Sequence, residues 1–307
     1  MSPLPPILVL GGGPDSEREI SLMSSRGVAE ALSGAGHFVH YHVIDRLSAA
    51  QLADLPGEVV FPVLHGGWGE GGPLQDILEA DGRPFVGCGS AAARLAMDKI
   101  ATKLAAAGLG IPTAPAAVLN ANDPALPIAA PAVLKPVHDG SSVGLHVCRT
   151  ADELRAAHQT VLADQRVNPS RVYMIERAIL GGRELTVGIL GGEALPPIEI
   201  RPAAGVYDYQ AKYFRDDTQY VVAPQLPGDT AETIQRRAID LFRAIGGRHL
   251  SRVDFILAPE GTAYLLEVNT MPGFTSHSLV PKAARHIGLD FAALCERLVR
   301  MALDNAP

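Results

Sequence analysis

The sequence predicts an α/β protein that opens on a parallel sheet and continues into mostly antiparallel strands. Three observations carry this. Residues 6–10 (PILVL), the Gly-rich stretch GGGPDSERE and a helical run from about Ser16 to Ser33 read as strand, loop and helix. EVVFPVLHGGWGEGGPLQDILEA repeats that order, with its helix starting near Pro73. From PAVLKP onward the apolar runs are short and strand-like.

Between these parts a long helix is expected to follow Ser90, a good N-cap, and to end at Gly108. The proline-dense stretch IPTAPAAVLNANDPALPIAAP reads as a linker with one short strand. VLKP, GLHVCR, RVYMIER, ELTVGIL and PPIEI read as strands, interrupted by one helix at roughly 150–163. The chain returns to helix from about Ala283. No internal repeat or low-complexity tract is present.

A length of 307 residues suggests two or three domains. With 47% hydrophobic and 19% charged residues, the composition is that of a soluble globular chain. The net charge of −7 and the lack of a basic run argue against nucleic-acid and membrane-surface partners. No apolar run reaches the length of a membrane span, and MSPLPPILVL reads as a first strand, not a signal peptide. Cys88, Cys148 and Cys295 are far apart and no CxxC occurs, which disfavours structural zinc and disulfides and fits a reducing cytoplasm.

The stretch RVDFILAPEGTAYLLEVNTMPG (252–273) reads as two alternating strands around Pro259-Glu260-Gly261. A hairpin centred on Glu260-Gly261 sets Asp254 opposite Glu267 and Arg252 opposite Asn269. Opposed residues share a face, with β-carbons roughly 5 Å apart. Two carboxylates that close repel unless something positive lies between them. Two carboxylates and an amide suit Mg²⁺ or Mn²⁺. A solvated face with Arg252 as counterion is the other reading.

LKPVHDGSSVG (134–144) puts Lys135 at a strand end before a small-residue loop whose N–H groups could converge on phosphate oxygens. For the loop alone, a surface hairpin turn is the favoured reading. GSSVG at 140–144 matches the GxSxG of serine hydrolases, but a strand-like run follows where that motif needs a helix. GGGPDS is not GxGxxG, and no P-loop motif occurs. Lysine, loop and metal-type hairpin together make an ATP·Mg²⁺ site without a P-loop.

On GGGPDSEREIS, LHGGWGEGGPLQ, MDK at 97–99, LKPVHDGSSVG, the stretch from Ile175 to Val187, YDYQAKY and RVDF…LLEVNTMPGFTSHSLVP, the chain resembles the D-alanine–D-alanine ligases of the ATP-grasp superfamily. These segments cover nearly its whole length in order. Gly71 stands where HGxxGEDG of the family usually has Asp, and IERAILGGRELTV is one residue longer than in some members. The resemblance implies three domains. These are a parallel-sheet α/β domain over 1–88, a small α+β lid domain over 89–178 and a mixed or antiparallel α+β domain over 179–307. It implies ATP and two Mg²⁺ (or Mn²⁺), a cytoplasmic homodimer, and D-alanine as substrate.

It also implies residue roles. Asp254, Glu267 and Asn269 would hold the metals, with Glu267 bridging. Lys99, Lys135 and Lys212 would meet phosphate oxygens. Glu176, Ala178 and Ile179 would surround the adenine, Glu184 would take the ribose, and Leu266 would also bind ATP. Glu17 would hold the ammonium of the first D-alanine, with His65 near it. Arg252 and the Gly273 N–H would form an oxyanion site. Ser278 and Leu279 would receive the second D-alanine's carboxylate. Ser141 and Tyr213 would link with Glu17 and close GVYDYQAKYF over the site.

Read without the resemblance, Glu17 is a first-turn acid favoured by the helix dipole. Lys99 is then a solvated helical lysine, His65 a loop histidine, and Glu176 and Glu184 exposed strand ends. Alternative activities are a D-alanine–D-lactate ligase, against which Tyr213 argues, another ATP-grasp carboxylate–amine ligase, and a non-catalytic ATP-binding module. The module predicts damaged metal ligands, yet Asp254, Glu267, Asn269 and Arg252 are all present.

Overall fold

Every residue of β1 (Ile7–Gly12) is buried, as an unbroken apolar run requires of a strand covered on both faces. The computed structural model describes residues 4–120, 123, 125–141, 143–202 and 217–304. Ile7 and Val9 of β1 face one core, with Val28 and Leu32 of α1 (Arg18–Gly34). Leu8 and Leu10 face the other, with Leu52 of α2 (Ala49–Ala53), Trp68 of α3 (Gly66–Gly69) and Leu74 and Leu78 of α4 (Pro73–Asp81). This alternation is the period of two that a strand imposes. β2 (Val39–Ile44) and β3 (Val59–Pro62) flank β1, both parallel to it. The strand ends on glycine because α1 crosses it closely: a Cβ on Gly11 would lie 1.9 Å from Ser25 Oγ.

The single helix expected after Ser90 is two helices, α5 (Ser90–Met97) and α6 (Lys99–Gly108). Asp98 breaks them. Its backbone is extended and its carboxylate caps α6, accepting from Ile100 and Ala101 N–H at 2.9 Å. The Lys99 N–H instead donates to Val137 O at 3.2 Å. The N-cap of α5 is Gly89. Ser90 is the first helical residue, and its N–H and hydroxyl both bond Glu79.

A second sheet, of order β4-β7-β5-β6, is antiparallel throughout. It holds β4 (Ala116–Val118), β5 (Ala132–Pro136), β6 (His146–Cys148) and β7 (Tyr173–Arg177), with α7 (Ala151–Val167) packed against it. A capping box between Thr150 and Glu153 starts α7.

The third sheet runs β11-β10-β8-β12-β13 and is also antiparallel, with short β9 (Glu193–Ala194) on β8. Its strands are β8 (Arg183–Leu190), β10 (Ile198–Arg201), β11 (Gln219–Val222), β12 (Leu250–Leu257) and β13 (Ala263–Asn269). Val187, Val253 and Phe255 pack with Ile234, Leu241 and Phe242 of α8 (Thr230–Ala244) and with Ala96 and Ala106 of α5 and α6. The C-terminal helical region begins earlier than expected and is divided. It comprises α9 (Leu279–His286) and α10 (Phe291–Asp304), which join the first sheet to the end of the third through Val280, Ala284, Leu298 and Val299.

Phe255 is fully buried between β12 and α8. Phe255→Ala should lower folding stability by about 3–5 kcal/mol, read from urea unfolding. A loss under about 1 kcal/mol would mean that this core collapses around the cavity.

Candidate active site

The second and third sheets face each other across a cleft of about 450 Å³, within the range of small-molecule sites. Lys99 of α6, Lys135 of β5 and Glu176 of β7 line one wall, with Ala178 and Ile179 after β7. Glu184, Asp254, Leu266 and Glu267 of the third sheet line the other.

The lysines are not solvated. Lys99 is 7% exposed, and its ammonium donates to Asp139 O at 2.7 Å and lies 3.6 Å from Glu267. Burial pushes its pKa down, only partly offset by Glu267. Glu176 is 4% exposed, not an exposed strand end. It sits between Lys135 at 2.6 Å and Lys103 at 2.7 Å. Burial pushes the Glu176 carboxyl up, but the two ammonium charges outweigh it and the group ends below its ordinary pKa.

The hairpin brings the carboxylates together as its alternation implied. Asp254 lies opposite Glu267 and Arg252 opposite Asn269. The register at the turn differs by one, since Leu257 pairs with Ala263 and Phe255 with Leu265. A β-bulge with Leu266 as its extra residue restores the offset. Strict alternation would put Leu266 and Glu267 on opposite faces, whereas both line the cleft.

Asp254 is compensated on several sides. Arg252 donates to its two oxygens at 2.9 and 2.8 Å, Thr186 Oγ1 donates at 2.5 Å and Asn269 Nδ2 lies 3.3 Å away. Arg252 does act as counterion, but on a face that is not solvated: the two side chains are 13% and 8% exposed.

Beyond Asp254 a second pocket opens between the N-terminal loops and the chain after β13. Glu17, His65, Glu70, Ser141, Arg252, Asn269, Gly273, Ser278 and Leu279 line it. Glu17 is the N-cap residue of α1 and is buried, and the Ser141 hydroxyl donates to it. Ser141 holds a left-handed backbone (φ 52°), an uncommon conformation away from glycine. Ser278 precedes α9, and its Oγ accepts from Thr275 N–H at 3.0 Å.

His65 does lie in a loop, before the helical turn Gly66–Gly69, but it is buried. Its Nδ1 lies 3.0 Å from Met271 O, and Nε2 has no partner among the described residues. Burial pushes the imidazole down to about 4, against the hydrogen bond to Met271 and with the charge of Arg252. The ring is therefore neutral at pH 7, with its proton on the nitrogen that faces a carbonyl. Long-range ¹H–¹⁵N spectra should show the Nδ1–H tautomer, unchanged from pH 8 down to about 5.5. Titration of the ring near its ordinary value would contradict this environment. Burial and nearby Glu17 push the Glu70 carboxyl up to about 8, against the N–H groups of Gly66 and Met271.

The two pockets, one lined by Asp254 and the other by the adjacent Asn269, thus gather nearly all the residues expected from the sequence. Lys212, Tyr213 and the stretch 205–214 lie outside the described residues, as does Ser142 of GSSVG. The strand β6 after that loop removes the strand–turn–helix context a serine nucleophile needs. Three residues escaped the sequence reading. Lys103 had a signal, one helical turn from Lys99. Glu70 had none beyond its place in LHGGWGEGG, and Thr186 only its position on a central strand. Gly71 also finds its reason: a Cβ there would lie 2.4 Å from Gly67 O, so this turn admits no side chain.

The family described as "D-ala D-ala ligase C-terminus" matches residues 113–300. Across the longer span, the D-alanine–D-alanine ligase of Dechloromonas aromatica is 41% identical, covering 99% of this chain and 100% of its own. D-alanine–D-alanine ligase B of Chromobacterium violaceum is 40% identical, covering 95% and 96%. The chain belongs to the D-alanine–D-alanine ligase family. The fold agrees. The crystal structure of D-alanine–D-alanine ligase from Bacillus anthracis complexed with ATP superposes with a TM-score of 0.82 at 26% identity, covering 98% of each chain. The three sheets found here are therefore the ATP-grasp arrangement of that family.

Proposed function

We propose that this protein is an ATP-dependent ligase that joins two D-alanine molecules into D-alanyl-D-alanine for peptidoglycan precursor synthesis. The observation that carries it is the junction of the two pockets. Asp254 lines a lysine-rich cleft, and Asn269, 3.3 Å from it, lines a pocket with Arg252 and Gly273, so a phosphate-type site and a carboxylate-type site lie side by side.

A carboxylate is a poor acyl donor. Transfer of the γ-phosphoryl group to an oxygen of the first D-alanine gives an acyl phosphate. Attack by the second amine on its carbonyl then breaks the bond to phosphate. Lys99 and Lys135 would bind phosphate oxygens from one wall, with Lys212. Glu176, held by Lys103 and Lys135, would present its edge to the adenine beside Ala178, Ile179 and Leu266. Glu184 would take the ribose. Glu17 would hold the first ammonium. Arg252 and the Gly273 N–H would stabilise the oxyanion. Ser278 and Leu279, at the start of α9, would receive the second carboxylate. Tyr213 would join Ser141 and Glu17.

Asp254, Glu267 and Asn269 offer only oxygen donors on one face, with cations already drawn to both carboxylates, and this set fits Mg²⁺ or Mn²⁺. When bound, such ions supply charge neutralisation at the phosphates. The domain division at 88 and 178 and a cytoplasmic homodimer belong to the same proposal.

One assay tests it: phosphate release with ATP, Mg²⁺ and D-alanine, L-alanine, or D-alanine plus D-lactate. Release with D-alanine and formation of the amide-linked dipeptide are expected. Ester product in preference to amide would favour the D-lactate alternative. No nucleotide turnover with any acid would end the reading.

A further inference from the structure

One turn of chain holds the backbone of Met271 from two sides. Its carbonyl oxygen accepts from His65 Nδ1 at 3.0 Å, and its N–H donates to Glu70 Oε2 at 3.2 Å. Glu70 Oε1 accepts from Gly66 N–H at 3.2 Å, so the carboxyl is tied to the turn that carries both side chains. The Thr270 hydroxyl donates to Glu70 O at 3.2 Å. His65, Glu70, Thr270 and Met271 are all buried.

Covalent geometry carries this grip forward. Met271 O belongs to the planar peptide that joins residues 271 and 272. Pro272 then fixes its own φ and restricts the backbone of Met271. A single soft dihedral, ψ of Pro272, separates the held plane from the Gly273 N–H. On the far side Phe274 N–H donates to Ser24 Oγ at 3.3 Å. The amides of Met271 and Phe274 are thus engaged, while that of Gly273 makes no hydrogen bond among the described residues.

We propose that His65 and Glu70 are positioning residues that clamp the Met271 backbone and so aim the Gly273 N–H at the point that Arg252 faces. This rests on the ligase reading and deepens it. It assigns the work of His65 to Nδ1 and the backbone, where the family resemblance implied a place beside the first substrate. The payoff is pre-organisation: a donor aimed before the reaction does not reorganise during it, and a misplacement near 1 Å can cost on the order of a hundredfold.

The test compares His65→Asn, His65→Gln, His65→Ala and Glu70→Gln in the full chain. Asparagine puts an N–H near the place of Nδ1, and glutamine reaches toward Nε2. Dipeptide kcat for His65→Asn should stay within about tenfold of the unmodified chain, while His65→Ala and His65→Gln fall on the order of a hundredfold. Glu70→Gln should fall similarly, because its amide turns a donor toward one of two N–H groups. KM for ATP should change by no more than about twofold in all four. Affinity for a tetrahedral phosphinate dipeptide analogue should fall in parallel with kcat, and binding of D-alanine alone should not. Rescue by glutamine and not asparagine would overturn the clamp and give His65 a substrate contact through Nε2. Unchanged phosphinate affinity in His65→Ala and Glu70→Gln would overturn it too. Thermal unfolding identifies any variant that fails to fold, and Glu70→Gln tests the clamp independently of His65. Absence of dipeptide synthesis by the unmodified chain would fail the ligase reading itself, before any variant is compared.

Discussion

Glu267→Gln should abolish dipeptide synthesis, lowering turnover on the order of a thousandfold, and weaken nucleotide binding far less. Glutamine matches the shape of glutamate and leaves the hairpin register intact, so what changes is charge. Glu267 lies opposite Asp254, 3.6 Å from the Lys99 ammonium, on the strand beside the Leu266 bulge. Without its carboxylate the opposed pair would have one negative charge fewer with which to hold the divalent cations proposed for this site. In the proposed function, nucleotide binding would draw on Lys99, Lys135 and the apolar wall as well, and these remain. Phosphate release and equilibrium ATP binding, measured on the same preparation, separate the two effects. Turnover within about threefold of the unmodified chain would remove Glu267 from the reaction.

Arg252→Ala should cost on the order of a hundredfold or more in turnover, with little loss of ATP affinity. Two contributions add. The guanidinium lines the second pocket with Gly273, where a tetrahedral oxyanion would form. It also forks onto Asp254, so its removal leaves two opposed carboxylates with less compensating charge. Arg252→Lys tells them apart. Lysine keeps the charge but cannot reproduce the planar fork, so it should recover only part of the loss. If ATP affinity collapsed while remaining turnover stayed normal, Arg252 would be a nucleotide residue instead.

Several parts of the architecture were legible because local patterns are strong where burial is complete. PILVL is covered on both faces and reads as a buried strand. Pro73 stands at the first helical position and marks the start of α4. β2 carried no such signal, since it is a half-exposed edge strand placed by pairing with β1. Residues 230–244 do carry one, with Ile234, Ala238, Leu241 and Phe242 at helical spacing. The break at Asp98 was hidden because apolar periodicity continues through it. The cap and the Val137 carbonyl that takes the Lys99 amide decide it.

The sequence by itself determined the hairpin, and a turn centred on Glu260-Gly261 sets Asp254 opposite Glu267; the observed turn is offset by one residue, and the bulge restores that pair and Arg252 opposite Asn269. Strand alternation is a local property, and a short loop leaves few registers open. It also determined the family, through ordered segments along nearly the whole chain. Only the tertiary structure decided that Leu266 turns into the cleft, because a bulge adds a residue that alternation cannot show. Only packing buried Glu176 between Lys103 and Lys135, residues from three separate elements. And only the docking of the 65–70 turn on the chain after β13 gave His65 and Glu70 a backbone to hold. Contacts between residues some two hundred positions apart depend on how the sheets and helices close on one another, which no local pattern encodes.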